Sequence, residues 1–132
     1  MPHPSATQVL DELLAELGDG PGPCERVIDE YCGSIVWESR ATRPAARTAF
    51  HERQDAAVQE LRKTWGPTAY PHWVDGIVLG CVDSESETEG NGLHAMFHRS
   101  GVWGYVRVSA SGIDTPENAR LRLVLGVIRD KR

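Results

Sequence analysis

A two-residue connection, Ser100-Gly101, separates two short segments, 93–99 and 102–109, that are predicted to be strands. A connection of this length joins antiparallel strands and fixes which residues face each other, so it predicts a β-hairpin within an antiparallel sheet. Counting outward from the turn gives seven facing pairs, which are Arg99 with Val102, His98 with Trp103, Phe97 with Gly104, Met96 with Tyr105, Ala95 with Val106, His94 with Arg107 and Leu93 with Val108.

Side chains along a strand alternate between the two faces of the sheet, so this register sorts the hairpin into two surfaces. One surface is apolar and suits a core covered by helices; it carries Leu93, Ala95, Phe97, Val102, Val106 and Val108. The other surface, called the aromatic face below, carries His94, Met96, His98, Trp103, Tyr105 and Arg107.

Helical patterns precede the hairpin. The Ser5–Gln8 segment has the form of a capping box, and the leucines that follow it predict a first helix over 6–17. Pro23 is placed to start a short second helix that ends at Gly33, which would complete an N-terminal helical hairpin. A long amphipathic helix is predicted over 44–65, because Gly66-Pro67 stops it and its apolar positions share one side.

Further strands are predicted over 34–39 and 73–82. Residues 120–128 fit both a helical stripe and the alternation of a strand, with a slight preference for a helix. The predicted fold is therefore α+β, with the helical hairpin and the long helix packed on a three- to five-stranded antiparallel sheet. A length of 132 residues predicts one domain, 1–132.

Composition narrows the classes of function. The net charge is −5 and the basic residues are dispersed, which argues against a general nucleic-acid binder. The longest apolar runs are far shorter than the roughly 20 residues that cross a bilayer. The first residues lack the pattern of a secretory signal, so we expect a cytoplasmic protein that binds neither membranes nor nucleic acid.

Sequence motifs for metal, phosphate or nucleophilic chemistry are missing. His94 and His98 would lie about 13 Å apart on a strand, too far to share one zinc ion. We therefore expect no metal and no cofactor, and we assign no catalytic residue; the sequence favours a non-enzymatic protein.

The aromatic face mixes large rings with histidine and arginine, types enriched at the energetic centre of protein interfaces. It predicts a small interaction protein of a regulatory, accessory or immunity type, which binds a partner protein or a second copy of itself as a homodimer. One alternative is that a further element of the chain covers this face. Another is a small-molecule-binding domain or a modest enzyme, with its pocket between the sheet and the long helix.

Overall fold

The computed structural model describes residues 5–20, 22–34, 44–67, 92–111 and 116–129. Within these ranges the helices are α1 (Ala6–Leu17) and α2 (Ala45–Thr64), and a short 3₁₀ turn spans Pro116–Asn118. The strands are β1 (Cys24–Gly33), β2 (Gly92–Arg99), β3 (Val102–Ser111) and β4 (Ala119–Arg129). They form one antiparallel sheet in the order β1-β4-β3-β2, which confirms an α+β architecture.

The helices predicted over 6–17 and 44–65 are confirmed as α1 and α2. The Ser5 side chain accepts a hydrogen bond from the backbone N–H of Gln8 and caps α1. Helix α2 follows Pro44 and is closed by the capping residue Trp65, whose backbone N–H donates to the Leu61 carbonyl. Neither described helix is long and apolar enough to span a membrane.

The predicted second helix of the N-terminal hairpin is wrong, because residues 24–33 form strand β1. The register against β4 shifts between Val27 and Asp29, which marks a β-bulge at Ile28. A bulge adds one residue to the strand, so Ile28 and Tyr31 both pack toward the core although they stand three apart. This spacing imitates one turn of a helix.

The preference for a helix over 120–128 is also wrong, because these residues lie in strand β4. Strand β4 sits between β1 and β3, and its residues are buried on both faces of the sheet. A strand buried on both faces loses its polar alternation, so the run from Leu123 to Ile128 resembles a helical stripe. The predicted strand over 73–82 lies outside the described residues, as does the one over 34–39 apart from Ser34, which is not in a strand.

The predicted hairpin register is confirmed from the turn outward to the pair of Ala95 and Val106. Ser100 and Gly101 both have positive φ angles, 52° and 77°, as the tight turns of two-residue hairpins require. Beyond Ala95 the predicted pairs are wrong. A bulge at His94 shifts the register, so Leu93 faces Arg107 and Gly92 faces Val108.

The main core lies between the two helices and one face of the sheet. Helix α1 contributes Val9, Leu10, Leu13 and Leu17, and α2 contributes Phe50, Ala57, Val58 and Leu61. The strands contribute Tyr31, Ala95, Phe97, Val102, Val106, Leu121, Leu123, Leu125 and Val127. The predicted apolar surface of the hairpin is therefore confirmed as a core face for its described side chains, with Val108 half-buried at the margin.

The opposite face is tightly packed around Gly126. This residue pairs with Glu25 on one side and with Tyr105 on the other, and the Tyr105 ring lies across its Cα. A Cβ at position 126 would collide with that ring. The glycine is thus required by the close approach of the tyrosine to the β4 backbone.

We expect Gly126→Ala to lower the free energy of unfolding by about 1–3 kcal/mol, the usual cost of overpacking a core. Urea denaturation measures the change. The cost should shrink clearly in a Tyr105→Leu background, where the ring is absent. An equal cost in both backgrounds would show that the ring does not demand a glycine.

Candidate functional site

The structure buries most of the predicted aromatic face. Met96 and Tyr105 are 1% and 0% exposed, and Trp103 is 6% exposed. His98 is exposed and lies against Trp103, with ring centroids 4.5 Å apart and planes inclined at 49°. The His94 side chain lies outside the described part. Binding through these residues stays a prediction, and in this conformation Met96, Trp103 and Tyr105 are not accessible to a partner.

Arg107, the remaining residue of that face, is held by a carboxylate that the sequence reasoning missed. Its Nε and Nη2 atoms donate to Glu25 at 2.7 and 2.9 Å, and the Tyr105 hydroxyl donates to the same carboxylate at 2.6 Å. Burial alone would raise the pKa of Glu25, but these hydrogen bonds outweigh it and lower the pKa. These hydrogen bonds connect β1 to β3 across Gly126, which indicates a structural role.

An open cleft lies on the helix side of the sheet. Its volume is about 130 Å³, and it separates the start of α1, the middle of α2 and the bulged part of β1. Its lining side chains combine apolar and charged types; they are Ala6, Ile28, Asp29, Arg53, Ala56, Ala57, Glu60 and Leu123. This cleft lies where the alternative reading of the sequence places a pocket, between the sheet and the long helix.

The bulge in β1 positions the first charged group of the cleft. Because of the extra residue at Ile28, Asp29 lies opposite Leu123, whose side chain is part of the helix-side core. The Asp29 side chain is only 10% exposed, and Arg53 Nε donates to its Oδ2 at 2.8 Å. A carboxylate with so little access to water requires such a partner.

Glu60 provides the second carboxylate, and it caps α1 from a different helix. Its Oε2 atom accepts hydrogen bonds from the Ser5 hydroxyl and from the backbone N–H of Thr7, the latter at 2.6 Å. Burial would raise the pKa of Glu60, but the donors at the start of α1 outweigh it and lower the pKa. The bond locks the start of α1 to α2 and sets one wall of the cleft.

The floor of the cleft is apolar and its rim is accessible. Ile28 is half-buried, Leu123 and Ala57 are buried, and Ala56 is exposed at the edge. The described lining residues include no histidine, cysteine or serine, and their titratable acids are Asp29 and Glu60. In the described part of the chain, no group of three or more His, Cys, Asp or Glu residues could hold a metal ion.

The chain matches no protein-family model, no curated protein and no solved structure. A proposed function therefore depends on the geometry of the cleft and on the burial of the aromatic face.

Sequence reasoning did not select Arg53 or Glu60 as candidate residues. They stand seven residues apart, two turns of helix, and Ala57 lies between them on the same face. This spacing places the two residues on one face of the helix and is a signal that the sequence contains. Asp29 gave no comparable signal, because its inward position depends on the bulge.

We expect Glu60→Gln to lower the free energy of unfolding by about 1 kcal/mol at pH 7, because a neutral acceptor binds the start of α1 more weakly. The Glu60 pKa in the folded state lies below its value of about 4.3 in an unfolded chain. The charged form therefore stabilises the fold fully above the unfolded pKa, and this stability is lost as pH falls through the folded pKa.

The measurement compares chemical denaturation of the wild type and the variant from pH 7 to pH 3, where the difference should shrink toward zero. Glu52→Gln, an exposed change on the same helix, serves as the control and should have little effect at any pH. A difference that persists unchanged at pH 3 would mean that the Glu60 charge does not stabilise α1.

Proposed function

We propose that the chain is a small, non-enzymatic binding protein of a regulatory or accessory kind, which acts in the cytoplasm. Its partner is a protein that inserts one side chain into the cleft between α1, α2 and β1. The observation that carries this proposal is the accessible amphipathic cleft on the helix side of the sheet, whereas the large residues of the aromatic face, on the opposite side, are buried.

The size of the cleft supports an inserted side chain. A cavity of about 150 Å³ in a protein core holds a benzene molecule, so a space of about 130 Å³ suits a group of five or six non-hydrogen atoms. Pockets for drug-sized ligands usually measure about 300–1,000 Å³. The volume thus favours a single anchoring side chain over a large free ligand.

The rigidity of the walls also supports recognition. Arg53 is oriented by Asp29, and Glu60 is held by two donors from α1. Groups held in place by such contacts lose little conformational entropy when a partner binds. A central pocket of this kind, surrounded by weaker contacts, is the usual arrangement of an interface hot spot.

Self-association through β1 has less support. In the described residues β1 is an outer strand, and it combines a bulge with acidic Glu25, Asp29 and Glu30. Bulges and charges on an edge strand oppose pairing with another strand. The proposal therefore assigns the cleft to a different protein.

The proposal is tested by blocking the cleft at its rim. A tagged chain is expressed in its own host, and copurified proteins are quantified by mass spectrometry for the wild type, Ala56→Trp and Ala15→Trp. Ala56 and Ala15 are both exposed and helical, but only Ala56 lines the cleft. We expect the partner to fall at least about tenfold with Ala56→Trp and to persist with Ala15→Trp.

His98→Ala provides a further comparison, because His98 is an exposed residue of the aromatic face. The proposal expects this variant to retain the partner. Loss of the partner with His98→Ala but not with Ala56→Trp would contradict the proposal and favour the aromatic face. Thermal unfolding of all variants checks that the fold is intact.

A further inference from the structure

Each charged side chain that lines the cleft already has a hydrogen-bond partner. Asp29 is paired with Arg53, and Glu60 is paired with the backbone and hydroxyl donors at the start of α1. Donors of the first turn of α1 are also occupied, since Gln8 N–H bonds to the Ser5 hydroxyl and Val9 N–H to the Ser5 carbonyl. At the Asp29–Arg53 pair, a charged ligand group would therefore meet a like charge beside the opposite one.

Hydrogen-bonding capacity nevertheless remains at the Asp29–Arg53 pair. Their bond uses Arg53 Nε and Asp29 Oδ2. Among the described residues, no acceptor bonds to the Arg53 Nη groups and no donor bonds to Asp29 Oδ1. Both residues line the cleft together with Ile28 and Leu123, so these unused donors and this acceptor belong to side chains that a ligand would contact.

We propose that the side chain which enters the cleft is a glutamine. This inference rests on the proposed function and names the chemistry that the same cleft selects. The carboxamide oxygen accepts from an Arg53 Nη group, its NH₂ group donates to Asp29 Oδ1, and its methylene groups contact the apolar floor. A neutral carboxamide satisfies both members of the pair without disturbing their charge balance.

The test uses three small molecules of nearly equal shape, whose planar head groups differ in charge: propionamide, propionate and propionamidinium. Each is titrated into the full chain, and the methyl signals of Ala56, Ala57 and Leu123 are followed by NMR. We expect propionamide to bind at least about fivefold more tightly than either ion. Ala56→Trp should abolish its shifts, and Ala15→Trp should preserve them.

A second variant tests the charge argument directly. Asp29→Asn keeps the shape of the side chain but leaves Arg53 without its counter-charge. The order should then reverse, so that propionate binds more tightly than propionamide. Tighter binding of either ion to the wild type would overturn the glutamine proposal, as would the absence of shifts with all three probes at about 100 mM.

The outcomes separate this inference from the function on which it rests. If an ion binds best and Ala56→Trp abolishes both its shifts and capture of the partner, the cleft remains the recognition site and only glutamine is wrong. If Ala56→Trp leaves the captured partner unchanged, the proposed function fails as well. Propionamide shifts that persist with Ala56→Trp would place its binding outside the cleft and overturn the inference.

Discussion

The pairing of β4 with both β1 and β3 is the interaction on which the rest of the structure depends. Among the described strands, β4 lies between β1 and the β2–β3 hairpin, and it contributes buried side chains to both faces of the sheet. Within the described sheet, β1 is therefore connected to the hairpin through β4. The fold is therefore determined by contacts between distant parts of the chain, which are typical of slowly folding topologies.

The candidate site depends on an irregularity in that pairing. The bulge at Ile28 places Ile28 and Asp29 on the same side of the sheet, so that an apolar and a charged side chain line the cleft together. Bulges next to binding sites commonly re-aim a side chain in this way. Arg53 then neutralises the buried carboxylate, and Glu60 fixes α1 against α2 on the opposite wall. The cleft is a product of the fold as a whole, since its walls come from four separate elements.

Short-range sequence patterns correctly predicted three elements of the fold. The cap at Ser5, the stripe of α2 and the Ser100-Gly101 turn each identified a confirmed element. The two strands that were predicted as helices, β1 and β4, are those in which packing against distant residues changed the spacing of the apolar residues. A bulge gave β1 a helical spacing, and burial of β4 on both faces removed its alternation.

The aromatic face shows the same limit of local reasoning. The register correctly placed Met96, Trp103 and Tyr105 together, but alternation along a strand does not reveal whether a face is open or covered. Glu25, which holds Tyr105 and Arg107, lies about eighty residues earlier in the chain, beyond the reach of any spacing argument.

The central claim is that the cleft, and not the aromatic face, is open to a partner. Solvent paramagnetic relaxation with a soluble gadolinium chelate measures this directly through methyl signals in NMR spectra. We expect strong relaxation of the Ala56 methyl at the rim of the cleft, and almost none of the Met96 methyl, which is 1% exposed. Relaxation of Met96 as strong as that of Ala56 would show that the aromatic face is open in solution, and it would contradict the account.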